Sequence, residues 1–183
     1  MKIIDVTKEL FSTQQYPGDP SPKMALERTI EKNGYNLTVF SACAHNSTHI
    51  DAPCHFIPDG DSITEINIEK CLGKCVIVSD FDSALDKAKN GNSKIILKGF
   101  NLTFLQAKEL AQYLSLIGTD LLSFGNESET KAVHQILLER KIVLLENLEL
   151  TNVPCGEYFL VALPLKMKNS DGSPVRAILI SNE

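Results

Sequence analysis

Apolar residues recur along the chain in short runs separated by polar stretches that carry glycine or proline, a pattern that predicts strands alternating with helices. Residues 3–6 predict a short strand, and residues 16–20, with two prolines and a glycine, predict a loop. Residues 37–42 and the β-branched run 75–78 predict strands. Residues 95–97 predict a buried strand ending at Gly99. Thr103 then predicts a helix start, because Gln106 follows at capping-box spacing. Leu105, Leu110, Tyr113 and Leu114 would form the inner face of that helix, and Gly118 its stop. A buried strand is expected at 121–124. The next helix is expected over 128–140, with Val133, Ile136 and Leu137 facing inward. Strands at 142–145, 159–163 and 177–180 complete the series. Strand–helix alternation predicts an α/β fold. The strand-rich beginning predicts a mixed sheet with flanking helices.

Length and composition narrow the picture. At 183 residues, with 43% hydrophobic and 22% charged positions, the chain reads as one domain over 1–183 with a full core. The formal net charge of -5 and the lack of a basic stripe argue against nucleic acid as a partner. No segment approaches the roughly 20 apolar residues of a membrane span, and the apolar run at the N-terminus is too short for a signal peptide, so a cytoplasmic location is expected. The five cysteines are odd in number and irregularly spaced, as expected of thiols in a reducing compartment. Cys71 and Cys75 lack a second pair to complete a zinc site and read as small buried thiols. Asp59-Gly60-Asp61 reads as a solvated turn and Arg176 as an ion-pair partner.

The chemistry concentrates in one place. Only four histidines occur, and three fall in His45-Asn46-Ser47-Thr48-His49-Ile50-Asp51-Ala52-Pro53-Cys54-His55. Imidazole and carboxylate are the usual ligands of zinc and similar ions. His45 and His49 share a face on a helical turn, whereas His49 and Asp51 share one on an extended segment. A turn running into a strand before Pro53 satisfies both. The fourth histidine, His134, lies beside the stripe of the second helix, and Glu146 follows the apolar run 142–145.

The stretch from His45 to Phe56 resembles the signature of the cyclase family, which includes bacterial kynurenine formamidases and isatin hydrolase: His-x-Gly-Thr-His-x-Asp-x-Pro-x-His-Phe. One fixed position differs, Ser47 standing for glycine. Ile4-Asp5-Val6, Tyr16-Pro17-Gly18-Asp19-Pro20, Leu72-Gly73, the segment from Val133 to Leu148 and Asp171-Gly172-Ser173-Pro174-Val175-Arg176-Ala177 resemble further parts of the family pattern. The resemblance implies a single cyclase-like domain of the swivelling β/β/α kind. It implies a divalent metal, zinc or manganese, as one or two ions held by His45, His49, Asp51, His134 and Glu146. It implies His55 as general acid/base and hydrolysis of an amide of a small-molecule substrate such as N-formylkynurenine. It also implies a homodimer or homotetramer. The same ligands suit a dehydratase or isomerase, or metal binding without turnover. The segment after Phe100 is shorter than in the family, which implies a more open site or one completed by a neighbouring subunit.

Overall fold

In a computed structural model, which describes residues 1–181, the strongest apolar runs become adjacent parallel strands. The chain forms β1 (Lys2–Asp5), β2 (Lys23–Arg28), α1 (Ile30–Asn33), β3 (Leu37–Ser41), β4 (His49–Asp51), β5 (Leu72–Val78), α2 (Phe81–Lys89) and β6 (Lys94–Leu97). It continues with α3 (Phe104–Leu110), β7 (Leu116–Thr119), α4 (Thr130–Leu138), β8 (Val143–Glu146), β9 (Gly156–Val161), β10 (Gly172–Pro174) and β11 (Ile178–Ser181). One sheet takes nine of these strands in the order β1-β11-β9-β5-β6-β7-β8-β4-β10. β5 to β8 run parallel, and the flanking pairs are antiparallel. The mixed α/β sheet expected from the sequence is therefore present.

Alternation along the parallel strands divides the interior in two. Val76, Val78, Ile95, Leu97, Ile117 and Leu144 face the helices, packing on Ala84, Ala107, Leu110, Val133 and Leu137. Ile77, Ile96, Val143 and Leu145 face the other way. They share a second core with Ile50 of β4, Leu160 of β9 and Leu179 of β11, so the curled sheet closes over its own inner face.

Several expectations need correction. The helix opened by Thr103, whose capping box with Gln106 is present, ends at Leu110 and not at Gly118. Leu105 and Tyr113 are exposed; the inner face of the helix is Ala107 and Leu110, and Ala111 and Leu114 are buried just beyond its end. Gly118 lies inside β7, where a Cβ would sit 3.1 Å from Ile96 Cγ1; close strand packing, not helix termination, explains it. The strand expected at 121–124 is β7, a few residues earlier, and 121–124 form bends beside the functional site. Helix α2, capped by Asp80 accepting from the Ser83 N–H, and strand β2 were not expected, whereas β10 falls in the segment that resembles the family's closing strands. Cys71 and Cys75 are buried thiols, as expected, with burial pushing their pKa values up to about 11 and about 12.

Strands β2 and β3 form a separate two-stranded hairpin, and every residue of the two strands is exposed. Met24, Leu26, Ile30, Tyr35, Leu37, Val39 and Phe40 present large apolar side chains along this arm.

Ile50 is fully buried between His49 and Asp51 and points to the opposite face of β4. Replacing Ile50 with Ala is expected to cost about 2–5 kcal/mol through the cavity left behind, read as a lowered midpoint in urea unfolding.

Candidate metal centre

The histidine-rich segment starts as a tight turn. The Asn46 N–H donates to Cys43 O at 3.1 Å, and Asn46 Oδ1 accepts from the Cys43 N–H at 2.8 Å. Ser47 follows with φ of 61°, in the left-handed region where glycine is favoured. The chain then extends into β4, whose alternation turns His49 and Asp51 to the same face. The turn is shorter than the helical one expected, but it brings the same side chains together. β8 pairs antiparallel with β4 in a register that sets His49 opposite Glu146. Helix α4 delivers the buried His134 to the same point.

The result is two triplets that share Asp51: His45, His49 and Asp51; and Asp51, His134 and Glu146. Asp51 Oδ1 lies 2.9 Å from His45 Nδ1 and 3.2 Å from His49 Nε2, and its Oδ2 lies 3.6 Å from His134 Nε2. Glu146 lies 3.2 Å from His134 Nε2 through Oε1 and 3.5 Å from His49 Nε2 through Oε2. Ligands about 2.0–2.2 Å from a tetrahedral zinc stand roughly 3.3–3.6 Å apart, so the spacing suits a shared cation. Asp51 Oδ2 is buried without a hydrogen-bond partner, an arrangement that is costly unless a cation completes it. These residues fit a divalent ion.

Backbone carbonyls orient two of the rings. His49 Nδ1 lies 2.9 Å from Ser47 O, and His134 Nδ1 lies 2.7 Å from Thr130 O. A carbonyl only accepts, so both Nδ1 atoms carry the proton, and both Nε2 atoms face the carboxylates, free to hold a proton against them or to ligate an ion in its place. A ring of hydrogen bonds supports the turn from behind. The Lys8 N–H donates to Thr48 Oγ1 at 2.9 Å, Thr48 Oγ1 donates to Asn147 O at 2.7 Å, and Lys8 Nζ donates to Asn147 Oδ1 at 2.7 Å. Ser47 Oγ donates to Lys8 O at 2.6 Å, which gives the side chain that replaces glycine a partner.

The electrostatics follow from this geometry. Burial alone would lower the His49 pKa, but Asp51 and Glu146 hold it well above the ordinary histidine value. Against the same effect of burial, Asp51 raises His45 and Glu146 raises His134. Burial would raise the Asp51 carboxyl, yet His45 and His49 hold it well below the ordinary range. Burial and the Asp51 charge push Glu146 up, and His134 and His49 reverse this to leave it lowered. Burial lowers His55, favouring the neutral imidazole.

Beside the triplets lies a cavity of about 210 Å³, lined also by Tyr16, Asp19, His55, Phe56, Leu122, Ser123 and Thr130. The loop at 16–20 thus lines the site of its own chain. The structure brings together all six residues singled out in the sequence: His45, His49, Asp51, His55, His134 and Glu146. Sequence reasoning missed Ser123, whose Oγ donates to Glu146 Oε1 at 3.3 Å, and Asp171, whose Oδ2 lies 3.1 Å from His45 Nε2. Ser123 sits where a strand was expected, and Asp171 opens a segment that resembles the family's closing strands, to which no role at the site was attached. Arg176 pairs with Asp5, as expected of an ion-pair partner, and Asp61 pairs with Lys141 at 2.7 Å. Cys54 donates to Ser170 O at 3.7 Å, and burial raises its thiol, away from a nucleophile's thiolate.

A mixed sheet that presents two histidine–carboxylate triplets around one shared aspartate defines a metal-binding α/β domain. The family model Cyclase, described as "Putative cyclase", matches residues 4–98, just over half of the chain. The kynurenine formamidase of Bacillus cytotoxicus is 34% identical over 96% of this chain and 96% of its own. A solved structure described as a potential metal-dependent hydrolase with cyclase activity superposes with a TM-score of 0.81 at 25% identity, covering 100% of this chain and 98% of that one. Isatin hydrolase A from Labrenzia aggregata shares the fold, with a TM-score of 0.82 at 20% identity over 100% of this chain and 94% of that one. The chain belongs to the cyclase family.

The shifts set a pH dependence. His49 is raised above its ordinary 6.5, so its stabilising contribution is complete below that value and is lost as pH climbs through the folded value. Asp51 and Glu146 are lowered from 3.8 and 4.5, so theirs is complete above those values and is lost on acidification. The metal-free protein should therefore melt highest between about pH 4.5 and 6.5 and lose stability as pH rises above that window. Zinc, which binds the deprotonated imidazoles, should reverse the upper trend. Thermal unfolding with zinc and with chelator checks this; a metal-free profile that is flat above about pH 6 contradicts it.

Proposed function

We propose that this chain is a metal-dependent hydrolase that opens the amide of a small substrate, with formyl amides of the N-formylkynurenine type as the leading class. The observation that carries the reading is the buried Asp51 carboxylate, shared by two ligand triplets and with one oxygen lacking any hydrogen-bond partner. The kynurenine formamidases among its relatives supply the substrate class. His45, His49, Asp51, His134 and Glu146 would hold zinc or manganese, as one ion or as two bridged by Asp51. When bound, such an ion supplies Lewis acidity, which polarises a carbonyl and acidifies water.

The chain's own residues do the rest. His55, kept neutral by burial, takes a proton from the attacking water and returns it to the departing amine. Phe56 packs on His134 with ring centroids 4.6 Å apart and walls the cavity with apolar surface. Ser123 steadies Glu146 through its hydroxyl, as does the Phe124 N–H at 3.0 Å.

The exposed hairpin supports a homo-oligomer. A two-stranded hairpin is marginal in water by itself, and its apolar side chains exceed what a monomer ordinarily leaves uncovered. Lys23, Glu27, Arg28, Glu31 and Lys32 alternate in sign along it, so a second copy meets little net repulsion. No helix among the described residues is long and apolar enough to cross a membrane. With all five cysteines free, a cytoplasmic location is the one proposed.

Loaded with zinc or manganese, the protein is expected to hydrolyse formyl amides faster than lactones or cyclic imides. His55→Ala should lower kcat by about 10²- to 10⁴-fold while the metal stays bound. No turnover of any amide by metal-loaded protein would leave metal binding without hydrolysis. Product masses showing loss of water would point to a dehydratase instead. Separately, replacing Met24 and Phe40 together with Asp should shift the protein to monomer in light scattering; an unchanged mass removes the hairpin from the interface.

A further inference from the structure

Asp171 stands outside both triplets, yet it touches two of the site's histidines. Its Oδ2 lies 3.1 Å from His45 Nε2 and 3.4 Å from His55 Nδ1. The rings of His45 and His55 stack with centroids 4.0 Å apart, so one carboxylate oxygen reaches the edges of both. The backbone fixes this position. Asp171 O accepts from the Ala52 N–H at 2.8 Å, and Gly172 is the Cα partner of Asp51 in the β4–β10 pair. Gly172 is also where the His45 ring rests. A Cβ at that position would come 2.6 Å from His45 Cε1, so only glycine lets the ring lie against β10 with Nε2 presented to Asp171.

We propose that Asp171 is a positioning residue that sets the ring orientation and tautomer of both His45 and His55. The proposal rests on the metal-dependent hydrolase reading of the same site. A carboxylate only accepts hydrogen bonds, so His45 Nε2 carries the proton toward Asp171, while His55 Nδ1, 3.4 Å away, faces it as a charge partner. His45 Nδ1 faces Asp51 Oδ1 at 2.9 Å, so it holds a proton while no ion is bound and would be the nitrogen that ligates when one is, with Nε2–H kept on Asp171. His45 thus ligates through the opposite nitrogen from His49 and His134, whose Nδ1 atoms are tied to carbonyls. For His55, the Asp171 charge favours the proton on Nδ1. The His55 Nε2, which makes no hydrogen bond among the described residues, is left as the proton acceptor at the cavity. Asp171 thereby couples a metal ligand to the acid/base group through a single oxygen.

The test uses full-length zinc-loaded protein, wild type, Asp171→Ala and Asp171→Asn. Long-range proton–nitrogen spectra of the four imidazoles report each tautomer directly. Wild type should show His45 ligating through Nδ1, His49 and His134 through Nε2, and His55 protonated at Nδ1. In Asp171→Ala the His55 signals should move to a tautomer mixture. Zinc affinity, measured against a competing chelator, should fall about 10–100-fold, with a similar loss in kcat at little changed KM. Asp171→Asn keeps an acceptor oxygen and should recover part of each. Wild-type-like imidazole spectra and zinc affinity in Asp171→Ala overturn the proposal, whatever the activity. Loss of one zinc equivalent overturns it too, since Asp171 would then be a ligand. If the wild type hydrolyses no amide, the hydrolase reading fails, while the spectra and affinities still decide the role of Asp171.

Discussion

The buried carboxylate of Asp51 imposes the constraint from which the site is organised. An ionised group almost wholly removed from water needs several partners at once. Here they come from three parts of the chain: the turn carrying His45, the strand carrying His49, and the helix carrying His134. Glu146, brought alongside by β8, adds a second negative charge to the same small volume. Two carboxylates and three histidines can share that space without a large electrostatic penalty only if protons or a cation intervene. The hydrogen bonds behind the site make sense in this light. They hold Ser47 and Asn147 in left-handed conformations that cost side-chain-bearing residues about 1–2 kcal/mol each, at the two points where the chain enters and leaves the ligand cluster.

The sheet explains why this arrangement holds still. β4 is only three residues long, yet it is paired on one side by β8 and on the other by β10, and its middle residue anchors in the inner core. A short strand with neighbours on both sides leaves its outer residues little freedom. The helices lie on the far face of the parallel strands, so α4 reaches the site only through its N-terminal half, where Thr130 and His134 lie.

The sequence disclosed much of this, and unevenly. His45, His49, Asp51 and His55 were legible because they are close in sequence, so local geometry alone brings them together. His134 and Glu146 became legible only through the family resemblance; twelve positions separate them, and nothing local says that β8 will pair with β4. Asp171 opens a segment that resembles the family's closing strands, but its place beside His45 was not legible: it lies 126 positions away, and a pairing between two three-residue strands leaves no periodic trace. Gly118 was misread because Leu114, Leu116 and Ile117 form an apolar run that serves a helix tail or a buried strand equally well. The β2 strand escaped notice because the hairpin has no buried face to impose alternation.

The first strand of the sheet pairs with the last: Lys2 lies opposite Ser181, and Asp5 opposite Ile178. Between them the chain contributes His45 early and Asp171 late. A folding chain can form the helices and the parallel strands from neighbouring segments, but the outer strands pair only when segments far apart in sequence meet. Most of this topology rests on distant pairings, which slow folding. The five candidate ligands lie between His45 and Glu146, so an ion meets the full set only once β8 has paired with β4, and the early segment by itself offers three of the five.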